Sequence, residues 1–563
     1  MASPEEAAPG AEPFDVRELQ GRIDAVLERE HASWGVLVYS TGLGRDIAAH
    51  RPDTALVPAS NVKLFTALAS LLVSHVGPTR ALRTAAHVVD VPGDDTRASS
   101  GDAAGEPPRR LRAVCVHPCG DPGLTADQLV ELVGGALEAV GVSADDVDAD
   151  RTRLGGDPWR DDGVPDTWEV GDLARDWAAP PSRAVLDRNV GSLWTPGKRQ
   201  KSSRVGGEPP LARFLDACRA AVRDAQTPKR RVAEAIEERV LGGPHAAEDE
   251  ETETEIPCGF APPPPPAPRA RRSSPRFEIS AREPRIPGGW ATRDSAPVSE
   301  MARAALRDSD NLCAEQLLRV CAGGRDTGRW LTSWSAVFCR ERCASTGAAD
   351  RSVDTKKSGA EPPERSRDPE LRTSPAPTRV RFVDGSGLSR HNLAPPRAFV
   401  ALFLSALEGA AREAAADARE ARVREPSELG AARAARRPFG AFLDALPETL
   451  LETETPTLPS GDRPEARASA RIAQPRSGTL GARLGHLRGV VRAKTGSMRG
   501  AAALSGYFAA HACSRLGVVA FSVVANNHAS AAPDAAHRLR DALDEIVRLV
   551  DRAEVVQEEG ERS

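Results

Sequence analysis

Lysine is almost missing from this chain. Of 75 Lys plus Arg, only seven are Lys: Lys63, Lys198, Lys201, Lys229, Lys356, Lys357 and Lys494. Codon bias accounts for the composition, since Ala, Pro and Gly are abundant as well. Each surviving lysine still gains interest, because a desolvated lysine can lose its proton at ordinary pH and an arginine cannot. A long apolar run is also missing. No stretch of about 18 uninterrupted apolar residues occurs, so no transmembrane helix is expected. Charge imbalance is missing too: the formal net charge is −5 over 563 residues, which gives no electrostatic footprint for nucleic acid.

Cysteine is sparse for a disulfide scaffold, with nine residues in 563 and an odd count. Cys115, His117 and Cys119 alternate along an apparent strand and would share one face. That pattern admits a metal site, but core packing is the favoured reading, since no second ligand pair has zinc-like spacing. The first residues, Met-Ala-Ser-Pro-Glu-Glu, lack a basic start and an apolar segment, so no secretory signal is expected there.

The length predicts two or three domains. Apolar positions Leu19, Ile23, Val26 and Leu27 predict a helix over 15–30, followed by a strand over 34–39. Another helix is expected over 61–73. Near the far end, 490–494, 501–509 and 517–526 read as strands and 535–550 as a helix. Elements from opposite ends of the chain therefore predict one α/β layered domain, formed by 14–78 plus 290–550, with an insertion over 79–289. Low-complexity stretches at 248–274, 355–378 and 410–476 read as solvated loops. Within the last, Ala410 to Arg437 has a helix-compatible Ala/Arg/Glu composition.

Three short motifs carry chemistry. Ser60-Asn61-Val62-Lys63 stands at an expected helix start. Positions three apart on a helix share a face, so Lys63 reaches the Ser60 hydroxyl. A serine hydroxyl is a weak nucleophile until a base takes its proton, and a lysine in a dry cleft can be that base. By itself the motif is weak, with about half a random match expected in a chain with this many lysines. Ser309-Asp310-Asn311 and Lys494-Thr495-Gly496 each occur once. The first would otherwise be a helix cap, the second a strand end with a glycine turn. All three in this order make a strong signal. They are far apart: 249 residues separate Ser60 from Ser309, and 185 separate Ser309 from Lys494.

The flanking residues sharpen the pattern: Pro58-Ala-Ser-Asn-Val-Lys-Leu-Phe-Thr66, Gly120-Asp-Pro-Gly-Leu124, Ser309-Asp-Asn-Leu312 with Ala314-Glu315, Asp384-Gly-Ser-Gly-Leu-Ser-Arg390, Gly478-Thr-Leu480, Ala493-Lys-Thr-Gly-Ser497 and Leu504-Ser-Gly-Tyr507. The chain resembles the class C, type-four penicillin-binding proteins, the D-alanyl-D-alanine carboxypeptidase/endopeptidase family, over about residues 20 to 550. The resemblance implies an antiparallel sheet flanked by helices, the serine transpeptidase-like fold, with domains inserted between the first two motifs. It implies Ser60 as nucleophile, Lys63 as base, Ser309 with Lys494 as a proton relay, and Asn311 as a binder of the penultimate amide. It also implies substrate contacts from Thr495, Gly496 and Ser497, and from Asp172 toward a free amino group. It further implies peptidoglycan stem peptides as substrates, β-lactams as acylating inhibitors, no cofactor or metal, and an extracytoplasmic site, with a plastid origin left open by the insertions. A class A β-lactamase shares the three motifs but needs a Glu-x-x-Leu-Asn loop, and Leu-Asn does not occur here. A non-catalytic binding protein on the same fold is the other alternative.

Overall fold

The computed structural model describes residues 12–73, 76–91, 111–143, 146–155, 167–169, 178–179, 181–192, 210–225, 289–346, 379–421, 437–449, 478–480, 483–484, 487–528 and 535–556. Its strands are β1 (Phe14–Asp15), β2 (Ser33–Ser40), β3 (Arg45–His50), β4 (Ala81–Val91), β5 (Leu111–His117), β6 (Arg153–Leu154), β7 (Trp290–Pro297), β8 (Val490–Met498), β9 (Ala501–Ala510), β10 (Val519–Asn526) and β11 (Ala553–Glu554). Its α-helices are α1 (Leu19–Arg29), α2 (Val62–Leu72), α3 (Ala126–Ala139), α4 (Pro210–Ala225), α5 (Val298–Arg307), α6 (Asn311–Ala322), α7 (Thr327–Thr346), α8 (Pro396–Ala421), α9 (Pro438–Asp444) and α10 (Ala535–Arg552).

The larger sheet has the order β3-β2-β10-β9-β8 and is antiparallel throughout. Its middle strand, Val-Ala-Phe-Ser-Val-Val-Ala-Asn, is buried at every position. A strand covered on both faces needs no polar alternation. Successive side chains still divide between two cores. Val519, Phe521, Val523 and Ala525 join α1 and α10, while Ala520 joins the cluster around α2 and α8. In α1 the buried residues are Leu19, Ile23, Val26 and Leu27, a stripe that faces the sheet at helical spacing. The parallel pair β1–β11 joins residues 14–15 to 553–554, so elements from both ends of the sequence close one layer.

Helix α2 lies on the opposite face and is buried on every side, from Val62 to Leu71. A helix buried all round, here with Lys63, Thr66 and Ser70 among apolar side chains, lies inside a core. Its Phe65 ring packs 5.2 Å from Phe382 and 5.5 Å from Phe399. Each such side chain contributes roughly 1.5–3 kcal/mol by leaving water, so the helix start, with Ser60, is held by a large part of the core.

The second sheet has the order β6-β5-β4-β7. One face packs on α3 and α4 through Ala86, Val114, Val116, Leu129, Val133, Phe214 and Ala217. Thr125 and Gln128 close a capping box at the start of α3, satisfying two of the free N–H groups there.

Four expectations change. Trp290–Pro297 pairs with β4, so these residues belong to the second sheet and the return to the larger sheet's helices falls after Pro297, not at residue 290. Residues 410–421 are not loop: they continue α8, and Ala-rich composition favours that. Residues 438–444 form α9, with Phe442 and Leu443 buried. Cys119 also leaves the face of Cys115 and His117, because β5 stops at His117; its Sγ lies 3.1 Å from Thr84 Oγ1. The stretches 248–274 and 355–378 lie outside the described residues.

Candidate active site

Ser60 sits in a tight turn, Ala59–Asn61, that leads into α2. Ala59 has φ +48°, a left-handed conformation that costs a non-glycine residue roughly 1–2 kcal/mol. Two glycines hold it there. A Cβ on Gly387 (φ +84°) would run into the Ala59 carbonyl, and one on Gly496 would lie 2.8 Å from Pro58 O and 3.2 Å from Ser60 N. The Asp384–Ser389 loop and strand β8 thus press on the turn from two sides. Asn61 anchors it to the sheet by donating to Ser505 Oγ at 2.9 Å.

Lys63 is fully buried. Its Nζ lies 2.9 Å from Ser60 Oγ, 2.6 Å from Asn311 Oδ1 and 2.5 Å from the Ser386 carbonyl oxygen. Burial lowers its pKa to about 8, while Asp384, Glu315 and Asp310 pull it back upward. Two of its three partners are pure acceptors, and only the hydroxyl can also donate. When the amine is neutral, its two N–H groups go to Asn311 and Ser386. The lone pair is then left to the Ser60 O–H.

Lys494, on β8, is also fully buried. It donates to Ser309 Oγ at 3.0 Å and to the Thr495 carbonyl at 2.8 Å. Burial, then the nearby charge of Lys63, push its pKa well below the ordinary value, against a smaller upward pull from Asp308. Ser309 has φ +59°. Asp310 follows as N-cap of α6, accepting from Cys313 N at 2.9 Å, so Asn311 opens the helix and faces Lys63. Arg188 donates to the other Asp310 oxygen at 2.6 Å. The remaining five lysines lie outside the described residues.

The five residues singled out for catalysis therefore meet, although 185 and 248 positions separate some of the bonded pairs. Thr495 Oγ1 donates to Thr479 Oγ1 at 3.0 Å, Gly496 backs onto Ser60, and Ser497 is exposed. Asp172 lies outside the described residues. Two lysines side by side make a poor cation site, and the donors here suit an anionic or carbonyl ligand instead.

Motif reading missed the support behind Lys63. Glu315 is buried and accepts from Gly385 N at 2.9 Å, Ser386 N at 2.8 Å and Arg319 Nη1 at 2.8 Å. It thereby holds the carbonyl that receives Lys63. Asp384 accepts from Gly387 N, Ser389 N, Asn392 Nδ2 and Trp168 Nε1. Burial, then repulsion from Glu315, raises its pKa to about 6. Ala314-Glu315 and Asp384 were visible as flanking residues, but no spacing rule assigns them this role.

A family model described as the D-Ala-D-Ala carboxypeptidase 3 (S13) family matches residues 19–229 and 471–550. Those segments include Ser60, Lys63 and Lys494. No curated protein matches the chain. Among solved structures, penicillin binding protein 4 from Haemophilus influenzae is 14% identical, over 94% of this chain and 98% of that one, with a TM-score of 0.48. A predatory endopeptidase from Bdellovibrio bacteriovorus, in complex with an immunity protein, is 12% identical over 91% of each chain, with a TM-score of 0.37. A class A β-lactamase from Bacteroides cellulosilyticus is 11% identical over 96% of this chain and 99% of that one, with a TM-score of 0.32.

Proposed function

The chain belongs to the D-Ala-D-Ala carboxypeptidase 3 (S13) family, and from that premise we propose how its residues perform serine-type D-Ala-D-Ala cleavage. The observation that carries the reading is the three-way contact of Lys63 with one possible donor, Ser60, and two acceptors, Asn311 and Ser386. A neutral Lys63 takes the Ser60 proton as Oγ attacks the carbonyl of the penultimate residue. The N–H groups of Ser60 and Ser497 receive the oxyanion. Collapse of the tetrahedral intermediate breaks the peptide bond, and Ser309, bonded to Lys494, relays a proton to the leaving amine. Water then hydrolyses the acyl-enzyme.

Lys494 supports recognition of a free C-terminus. It is buried, and among the described residues its hydrogen bonds go to a hydroxyl and a carbonyl, with no carboxylate accepting from it. A substrate carboxylate arriving beside Lys494 and Thr495 would supply the missing counter-charge and draw the lysine back to its ammonium form. The carboxylate of a penicillin offers the same chemistry, so β-lactams acylate Ser60, and peptidoglycan stem peptides are the substrates. Asn311 would also bind the substrate's amide, and Asp172 would read a free amino group on the stem. No helix among the described residues is long and apolar enough to cross a membrane; the substrate places the work outside the cytoplasm. The second sheet with α3 and α4 forms the inserted domain.

Intact-mass spectrometry after incubation with benzylpenicillin tests this reading. One acyl group per chain is expected, on the peptide that contains Ser60, and none in Ser60→Ala. Labelling that persists in Ser60→Ala overturns the assignment. Sustained nitrocefin turnover, in place of a stoichiometric acyl complex, would move the chain to the β-lactamases.

A further inference from the structure

The outer face of the second sheet carries a group of side chains that peptide cleavage does not use. Ala86, Val114 and Val116 point toward α3 and α4. Alternation along the strands therefore sends His87, Cys115 and His117 to the opposite face. His87 and Cys115 are direct register partners across β4 and β5. One potential ligand atom from each of the three lies within 4.8 Å of the others.

We infer that His87, Cys115 and His117 form a three-ligand site for Zn²⁺. The Cys115 Sγ to His117 Nε2 distance is 3.6 Å, which matches the edge of about 3.6 Å expected for a tetrahedron with metal–sulfur near 2.3 Å and metal–nitrogen near 2.0 Å. His87 Nδ1 is buried and has no hydrogen-bond partner. A buried ring nitrogen without a partner is costly, and a metal ion removes that cost.

The rings are held in place. Trp290 stacks on His87 at 4.0 Å with planes 10° apart, and on His117 at 4.9 Å. Gly155 leaves room for the imidazole of His117, since a Cβ there would fall on the ring. Arg153 is the register partner of Cys115; burial pushes the thiol's pKa up and the Arg153 charge offsets part of that rise, so it is the metal ion that would displace the proton. One thiolate and two imidazoles form a borderline-soft donor set that suits Zn²⁺. All three residues are only partly buried, so water takes the fourth position. Binding one ion releases the Cys115 thiol proton and forms three metal–ligand bonds, with no redox change. The ion clips β4 to β5 on the face opposite α3 and α4.

The test uses the full chain, reduced and stripped of metal. Titration with Co²⁺ should produce thiolate-to-metal charge-transfer absorption that saturates at one ion per chain and is displaced by Zn²⁺. Zn²⁺ should raise the melting midpoint of the unaltered chain. Cys115→Ser should abolish the charge-transfer band, and His117→Gln should weaken binding at least 10-fold. Cys119→Ser should leave stoichiometry and affinity unchanged. If Cys115→Ser fails to melt cooperatively, His87→Gln and His117→Gln carry the test on folded protein. Absence of the band at excess Co²⁺, its persistence in Cys115→Ser, or unchanged affinity in both histidine variants overturns the proposal. The 3.6 Å contact would then be a thiol–imidazole hydrogen bond only.

Discussion

The two sheets treat polar side chains in opposite ways. The larger sheet is covered on both faces, and the polar groups beside it are buried and bonded: Lys63, Lys494, Glu315 and Asp384 all lie inside. Among the described residues, α3 and α4 cover one face of the second sheet, and His87, Cys115 and His117 lie partly buried on the other. The same residue chemistry therefore gives different behaviour. Burial moves Lys63 to about 8 and Asp384 to about 6, because low dielectric penalises whichever form is charged. On the second sheet burial also favours the neutral forms of His87, His117 and Cys115, and there function would have to come from a ligand that gathers the groups.

The sharpest break between the two regions should come from Lys63→Arg. Arginine keeps the charge and cannot accept the serine proton. Penicillin acylation should fall at least about 10²-fold. If Lys63 is the base as proposed, the neutral amine is the competent form, so the rate in the unaltered chain should climb as pH rises through about 8 and level off above. The limb belongs to Lys63 coupled with Lys494, and it should be missing in the variant. Rapid-quench mass spectrometry across pH measures both. A variant within a few-fold of the unaltered rate would mean that the base is another group.

Gly387→Ala tests whether the turn is held from outside. The new Cβ meets the Ala59 carbonyl, and the backbone is left-handed there. Movement of Ser60 by about 1 Å should cost roughly 10²-fold in acylation. Normal acylation with normal stability would show that the turn yields freely.

Stability and activity should separate between the regions. Glu315→Gln breaks the buried pair with Arg319 and should cost about 3–5 kcal/mol. Phe214→Ala hollows the core of the second sheet and should cost about as much. Only the first should slow acylation of the folded fraction, because Glu315 holds the Ser386 carbonyl that receives Lys63. Urea unfolding with acylation rates on the same samples reads both. Equal slowing in the two variants would mean that the regions are coupled.

The smallest effect is expected from Trp168→Phe, which removes one donor from Asp384. A single neutral-to-charged hydrogen bond contributes roughly 1.5–3 kcal/mol at most, and Asp384 keeps three others. A loss of less than about 10-fold in acylation is expected, by the same kinetics. A larger loss would make Trp168 part of the substrate wall.

Much of this was legible beforehand. Helix α1, strands β2, β9 and β10, and helix α10 follow from apolar spacing, which records directly which side of an element faces the core. The Ser60–Lys63 pair was legible because three residues on a helix bring two side chains together without help from the rest of the chain. The end of the insertion was misplaced because Trp290–Pro297 carries no clear strand pattern, and nothing local says which sheet it joins. The helix over 410–421 was set aside as low complexity, although its alanines favour helix.

By itself, then, the order of residues determined that Ser60 and Lys63 would meet, and the sheet and helices that enclose them. These depend on interactions within one turn or one strand. Only the tertiary structure decided that Asn311 and Ser386, 248 and 323 positions from Lys63, would occupy its two N–H groups. Only it decided that Gly387 and Gly496 would clamp Ala59, and that His87 would face Cys115. Those pairings depend on which distant backbones come together and how much water they exclude, and no short pattern in a chain specifies that.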